Sequence, residues 1–306
     1  MSKTPVPSRS PVLPAPPALI AHHSGTFIPW MANWRETRRV APVLLMTGPE
    51  GTGKRELAYW LSQWLLCERH GPQAAQTTAQ NSEDVFDLFG AASAPAPSAD
   101  VNTPLPFAPC GSCSSCLKAL RGTGVDFTEL APDESRSLKI DEFRRLKATL
   151  GHGAFDSAYR ITLIGEADRL TPQAANSLLK ILEEPPPGFI FLLTASDPSL
   201  LLPTLVSRCQ RVRMLPLTSE VMRSILEPEA LKSGVASADL DRVLKFSHGN
   251  LARARAALDP EFWEKRRQLL RFLTTPWSDF EPMVNASTRE PEDGDRVLDH
   301  LDAIAR

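Results

Sequence analysis

Gly48-Pro49-Glu50-Gly51-Thr52-Gly53-Lys54 stands between an apolar run and an amphipathic one, and no other stretch limits the possible folds as tightly. The pattern GxxxxGK needs a strand before it and a helix after it. Its glycines let backbone N–H groups turn inward, and the helix N-terminus adds a favourable dipole for phosphate. Both flanks are present. VAPVLLMTG (residues 40–48) reads as a short buried strand ending in glycine. RELAYWLSQWLLC follows, with Leu57, Leu61, Trp64 and Leu65 at helical spacing. Further on, RITLIG and FIFLLTAS are two more short apolar runs, as expected of strands covered on both faces. Between them, TPQAANSLLKILEEPPP predicts a helix with Thr171 as N-cap and Pro172 at its first position, stopped by Pro185 to Pro187. Strands alternating with helices imply a parallel α/β domain.

The loop departs from a working hydrolase at the position after Lys54. Lys54 would bring positive charge to the β- and γ-phosphates, but Arg55 replaces the Ser or Thr that would hold Mg²⁺. A guanidinium has only donors and cannot ligate a metal. The second metal-organising group belongs at the end of RITLIG, where Gly165 precedes Glu166-Ala167-Asp168 in place of an aspartate. Two losses strike the same function, so Gly48, Gly51, Thr52, Gly53, Lys54 and Arg55 form a degenerate nucleotide site. It would bind ATP or ADP at best and hydrolyse poorly.

Three of the five cysteines fall within seven residues, as Cys110-x-x-Cys113-x-x-Cys116. That odd count and spacing argue for a metal site in a reducing cytosol rather than a disulfide framework. Cys67, closing the helix after the phosphate loop, is the obvious fourth ligand; a long intervening loop is tolerable because closure cost rises only about 0.6 kcal/mol per doubling of length. Four thiolates suit structural zinc with no open position for catalysis. An iron–sulfur cluster competes, but the ferredoxin run would need a further Cys followed by Pro where Leu120 stands. Cys209 reads as an ordinary buried thiol.

Proline clusters mark the boundaries. Residues 1–20 read as a disordered N-terminal segment, residues 21–216 as the P-loop domain, residues 217–260 as a small helical lid and 261–306 as the start of a further helical domain. The cysteine module spans 67–122, with a soft insertion at about 71–109 whose one apolar island is Val85-Phe86-Asp87-Leu88-Phe89. With 34 basic against 36 acidic residues the net charge is −2, which speaks against a strongly basic nucleic-acid protein. No apolar window suits a membrane span, and the proline-broken N-terminus lacks the apolar core of a secretory signal.

Taken together, the P-loop, the Cys…CxxCxxC module, NSLLKILEEPP and Ser207-Arg208-Cys209 resemble the bacterial AAA+ clamp-loader subunits of the DNA polymerase III holoenzyme. The resemblance implies an AAA+ P-loop parallel-sheet domain with an inserted zinc module, then a helical lid and a partial helical collar. Arg55 and Gly165 make the chain look like the non-motor delta-prime (stator) branch. It implies that Arg208 is an arginine finger for a neighbouring motor subunit and that Ser196 lies in the sensor-1 region. Gly249-Asn250-Leu251-Ala252 lacks the family's second-sensor arginine, with Arg253 one residue late. The implied setting is the cytoplasmic, nucleoid-associated replisome. The implied partners are the motor and delta subunits of a hetero-oligomeric ring, with the sliding clamp and primed DNA reached through the complex. The alternatives are a catalytically active motor-type ATPase and a zinc-stabilised nucleic-acid module. The island at 85–89 resembles the Leu-Phe-ended peptides that engage sliding clamps, against the plainer expectation that its two phenylalanines pack back onto the parent domain.

Overall fold

The computed structural model describes residues 15–37, 40–72, 108–120, 124–132, 137–150, 154–232 and 237–274. The chain divides into two compact units, Met1–Ala254 and Arg255–Arg306. The lid segment expected over 217–260 thus falls mainly within the first unit.

That unit is built on five parallel strands: β1 (Val43–Thr47), β2 (Phe127–Leu130), β3 (Arg160–Ile164), β4 (Phe189–Ala195) and β5 (Gln210–Arg213), in spatial order β2-β3-β4-β1-β5. The α/β parallel sheet expected from the alternation of strands and helices is borne out. All five residues of β1 and of β3, and all seven of β4, are buried. Parallel strands need crossovers that cover both faces, so the central strands are mainly apolar without alternation, Thr47, Arg160, Thr162 and Thr194 being their buried polar residues. The edges differ: β5 reads QRVR and buries only Val212, while β2 is half-buried throughout.

Crossover helices supply the two layers. Helix α2 (Lys54–Leu66) buries Leu57, Trp60, Leu61, Trp64 and Leu65. Helix α3 (Ser114–Leu120) belongs to the cysteine module, and α4 (Ile140–Thr149) precedes β3. Helix α5 (Pro172–Glu183) starts as the sequence predicts: Thr171 Oγ1 accepts from the Ala174 N–H, a cap worth about 1 kcal/mol. Its Leu178 joins Leu45, Phe143, Phe191 and Leu193 in the core, each such side chain contributing about 1.5–3 kcal/mol by burial. A four-residue helix, α6 (Pro203–Val206), leads to β5, followed by α7 (Ser219–Lys232), α8 (Ser237–Ser247) and α9 (Leu251–Ala257).

One boundary needs correction. A helix, α1 (Pro17–Thr37), begins inside the segment expected to be disordered over 1–20. Pro16 and Pro17 open it, since proline's fixed φ suits a first turn whose N–H groups have no helical partner. Leu19 and Ile20 are buried, as are Phe27, Met31 and Trp34. The Trp34 and Trp64 rings stack at 6.4 Å, and Phe27 meets Trp60 at 5.3 Å, joining α1 to α2. Residues 1–14 lie outside the described residues, as do 73–107 with the island at 85–89.

In the second unit, α10 (Pro260–Thr274) carries the ion pairs Glu261–Lys265 and Glu264–Arg267 along its surface, and Trp263 Nε1 donates to the Ala257 carbonyl at 2.8 Å. This is the described part of the expected collar; residues 275–306 lie outside it.

Candidate functional site

The phosphate loop joins β1 to α2 as the motif requires. Gly51 (φ 74°) and Gly53 (φ 80°) both lie in the left-handed region that glycine adopts freely. Space forbids anything larger as well: a Cβ on Gly51 would fall 2.1 Å from Asn250 Oδ1, and one on Gly53 2.6 Å from Leu19 Cδ2. Asn250 and α1 therefore press on the loop from outside.

Several of its polar groups are bonded within the loop or to neighbouring elements. Lys54 Nζ donates to the carbonyls of Gly48 (2.6 Å) and Pro49 (2.7 Å). Thr52 Oγ1 donates to the Pro49 carbonyl, the Leu251 N–H to that of Gly51, and His23 Nε2 lies 3.1 Å from that of Thr52. A carbonyl partner makes Nε2 the donating nitrogen, leaving buried Nδ1 without a partner. Burial pushes His23 down to about 4, against the pull of the Thr52 bond, so the ring is neutral at physiological pH. Burial also lowers the Lys54 ammonium, opposed by the charges of Asp168, Glu50, Glu166 and Glu56.

The two departures from a magnesium site have distinct surroundings. Arg55 grips Glu129 of β2 with both ends of its fork, Nε to Oε1 at 2.7 Å and Nη2 to Oε2 at 2.8 Å, and Tyr59 donates to the same Oε2 at 2.6 Å. That hydrogen bonding raises the guanidinium further above its usual value, while Tyr59 rises chiefly through burial. Gly165 is held against β2, its N–H donating to the Leu130 carbonyl at 2.8 Å. Three residues later, Asp168 Oδ2 accepts from the N–H of Ser196, the expected sensor-1 residue, at 3.1 Å. Asp168 Oδ1 is buried without a partner. Glu129 and His23 carry no motif in the sequence, and Asp168 and Asn250 stand there only beside Gly165 and within the second-sensor stretch. Asp168 offered the one usable signal, as the remaining carboxylate just after β3.

The cysteine module comes together as the spacing predicts. The sulfur atoms of Cys67, Cys110, Cys113 and Cys116 all lie within 4.8 Å of one another. Tetrahedral zinc at about 2.3 Å from each sulfur needs separations of about 3.8 Å, so four thiolates fit with small adjustment and leave no open coordination position. Backbone N–H groups point at the sulfurs: His70 and Cys110 toward Cys67, Cys113 toward Cys110, Cys116 toward Cys113. Glu68 caps α3, accepting from Ser114 Oγ and from the N–H and Oγ of Ser115. His70 Nδ1 lies 2.8 Å from the Ala108 carbonyl, tying together the two points where the chain leaves and re-enters the module. Cys209 stands apart; its thiol donates to the Leu205 carbonyl and burial pushes it up to about 12.

Arg208 follows α6 and is partly exposed, its side chain 37% accessible. Nη1 donates to the Thr204 carbonyl and Nη2 to Glu183 Oε1, both at 2.9 Å. A groove beside it is lined by Pro198, Leu201, Pro203, Val206 and Cys209.

Comparison with known proteins agrees with the motifs. Residues 97–218 match the family model described as DNA polymerase III, delta subunit. The chain is 32% identical over 163 residues to the DNA polymerase III subunit delta' of Haemophilus influenzae, covering 53% of this chain and 49% of that one. It is 31% identical over 248 residues to the subunit delta' of Pseudomonas aeruginosa, covering 79% and 64%. The chain thus spans from half to just under two thirds of the length of these relatives. A solved structure of a gamma subunit-related protein of Thermotoga maritima aligns over 84% of this chain and 76% of that one, at TM-score 0.42 and 16% identity. The resemblance to bacterial delta-prime subunits is borne out.

Proposed function

We propose that this chain, a relative of the DNA polymerase III delta-prime subunits, serves as the non-motor stator of a cytoplasmic clamp loader. It would complete the ATP site of a neighbouring motor subunit through Arg208 and take part in placing a sliding clamp on primed DNA. One contrast carries the reading. The cations of its own phosphate loop are engaged within the chain, Lys54 by loop carbonyls and Arg55 by Glu129. Arg208 lies outside that loop, on the turn after α6; it is bonded to the Thr204 carbonyl and Glu183 and is about as exposed as Arg55 (37% against 39%), so its place rather than its freedom sets it apart. A planar, permanently charged fork suits negative charge developing on a transferring phosphoryl group.

Zinc is the metal proposed for Cys67, Cys110, Cys113 and Cys116, in a structural role. A nucleotide at Gly48–Arg55 would find no magnesium ligand at Arg55 or Gly165, so this site contributes little turnover. Among the described residues no helix is long and apolar enough to cross a membrane.

The test is ATP hydrolysis by the complex reconstituted with motor and delta subunits, clamp and primed DNA. The isolated chain is expected to be inactive with Mg²⁺ and ATP. Arg208→Ala should fold normally and lower turnover of the complex. An arginine finger can contribute about 10³–10⁵ in rate, and the observed loss is smaller where other sites keep their own. Unchanged turnover and clamp loading with Arg208→Ala would remove the finger. Mg²⁺-dependent turnover by the pure chain, abolished by Lys54→Ala, would favour a motor-type ATPase instead.

A further inference from the structure

We infer that Glu183 is a positioning residue for Arg208, setting the direction of the guanidinium before a neighbour's nucleotide arrives; this rests on the reading of Arg208 as an arginine finger. The two residues come from different elements. Glu183 is the last residue of α5, whose register is set at the other end by the Thr171 cap and whose extension is blocked by Pro185. Arg208 lies on the turn after α6, its N–H bonded to the Leu205 carbonyl.

A long side chain on an exposed turn samples many rotamers, and fixing it on a phosphate costs that freedom. Here two separate nitrogens are tied down, Nη1 by the Thr204 carbonyl and Nη2 by Glu183 Oε1. Because the fork is planar and rigid, two anchored nitrogens fix its orientation. Nε–H and the second N–H on each Nη stay available to an incoming oxyanion. The Thr204 anchor is backbone, so Glu183 is the side chain through which the orientation can be altered.

Glu183 is too weak an anchor to withhold the arginine. Both side chains are well exposed, 37% and 50% accessible, and exposed ion pairs shift an equilibrium by only about 1.4- to 5-fold. A phosphate group bearing more than one negative charge competes readily for the same donors. The pair therefore preorganises the finger, and its removal should slow turnover rather than speed it.

The experiment measures kcat and KM for ATP in the reconstituted complex carrying Glu183→Ala, Glu183→Lys, Glu183→Gln, Arg208→Ala or the double change Glu183→Ala/Arg208→Ala. Glu183→Ala should lower the Arg208-dependent part of kcat about two- to fivefold with KM nearly constant. Glu183→Lys, which puts a like charge beside the fork, should lose more. Glu183→Gln keeps an oxygen acceptor and should recover most of the loss. The double change should be no worse than Arg208→Ala alone. Wild-type kcat with both Glu183→Ala and Glu183→Lys, or a double change that adds the two losses, would overturn the inference while leaving the finger intact. No effect of Arg208→Ala itself would overturn the finger, and this inference with it.

Discussion

The phosphate loop and the cysteine module sit at opposite ends of α2, and they relate differently to the motifs that announce them. In the module, residues picked out by spacing do together what their chemistry suggests: four sulfurs converge within 4.8 Å. In the loop, the motif residues take up their usual places but spend their polar groups on one another and on neighbours: Lys54 on loop carbonyls, Arg55 on Glu129, Thr52 on Pro49 and His23. A motif thus fixes where a backbone goes more securely than what its side chains hold. Thiolates have few favourable partners besides a metal, whereas an ammonium or a guanidinium can be satisfied by any nearby carbonyl or carboxylate.

The sharpest way to break the comparison is to remove the metal expected in the module. Chelation, or Cys113→Ser, should lower Tm more than any other change considered, since structural zinc contributes about 10–16 kcal/mol in small zinc-binding peptides. Metal analysis of protein prepared without chelator should find one zinc per chain; no metal would leave the two regions equally degenerate, and iron would overturn the zinc assignment.

Next in size is the cover over the loop. Leu19 is fully buried and lies where a Cβ on Gly53 would have to go. Leu19→Ala should cost about 2–5 kcal/mol in denaturant unfolding without conferring ATP hydrolysis, because Arg55 and Gly165 are untouched. Turnover by this variant would mean that the closed loop, rather than the missing metal ligands, is what silences the site.

The smallest effect at neutral pH belongs to His23. Its folded value of about 4 lies below the ordinary 6.5, so the unfolded chain binds the proton more readily. Stability attached to the neutral ring is complete above about 6.5 and declines as pH falls towards about 4. His23→Gln keeps a donor for the Thr52 carbonyl and should flatten this acid limb, with little change at pH 7.5. An identical pH profile for the two proteins would place the titration elsewhere.

Much of the sheet was legible because its signals are local. A strand covered on both faces must be mainly apolar on both, and Thr171-Pro172 states a helix start in two letters. Helix α1 was obscured by the prolines before it, which read as disorder by composition but serve as its first turn; the burial of Leu19 and Trp34 depends on a sheet and an α2 face far along the chain. Glu129 was hidden for a related reason. It lies on an edge strand with no motif, and its role follows from facing Arg55 across 74 positions of sequence. Asp168 could be read as a carboxylate near the expected place, but its bond to the Ser196 N–H depends on how the turn after β3 meets the end of β4.

The bond between His70 and Ala108 makes the cysteine module a natural graft port. Exit and return points are tied beside the sulfurs, so chain length between them bears little on the fold: a doubling adds only about 0.6 kcal/mol of closure cost. His70→Ala, which removes that tie, should loosen the two entry points of the module and weaken its hold on a metal while leaving the melting of the parallel sheet nearly unchanged.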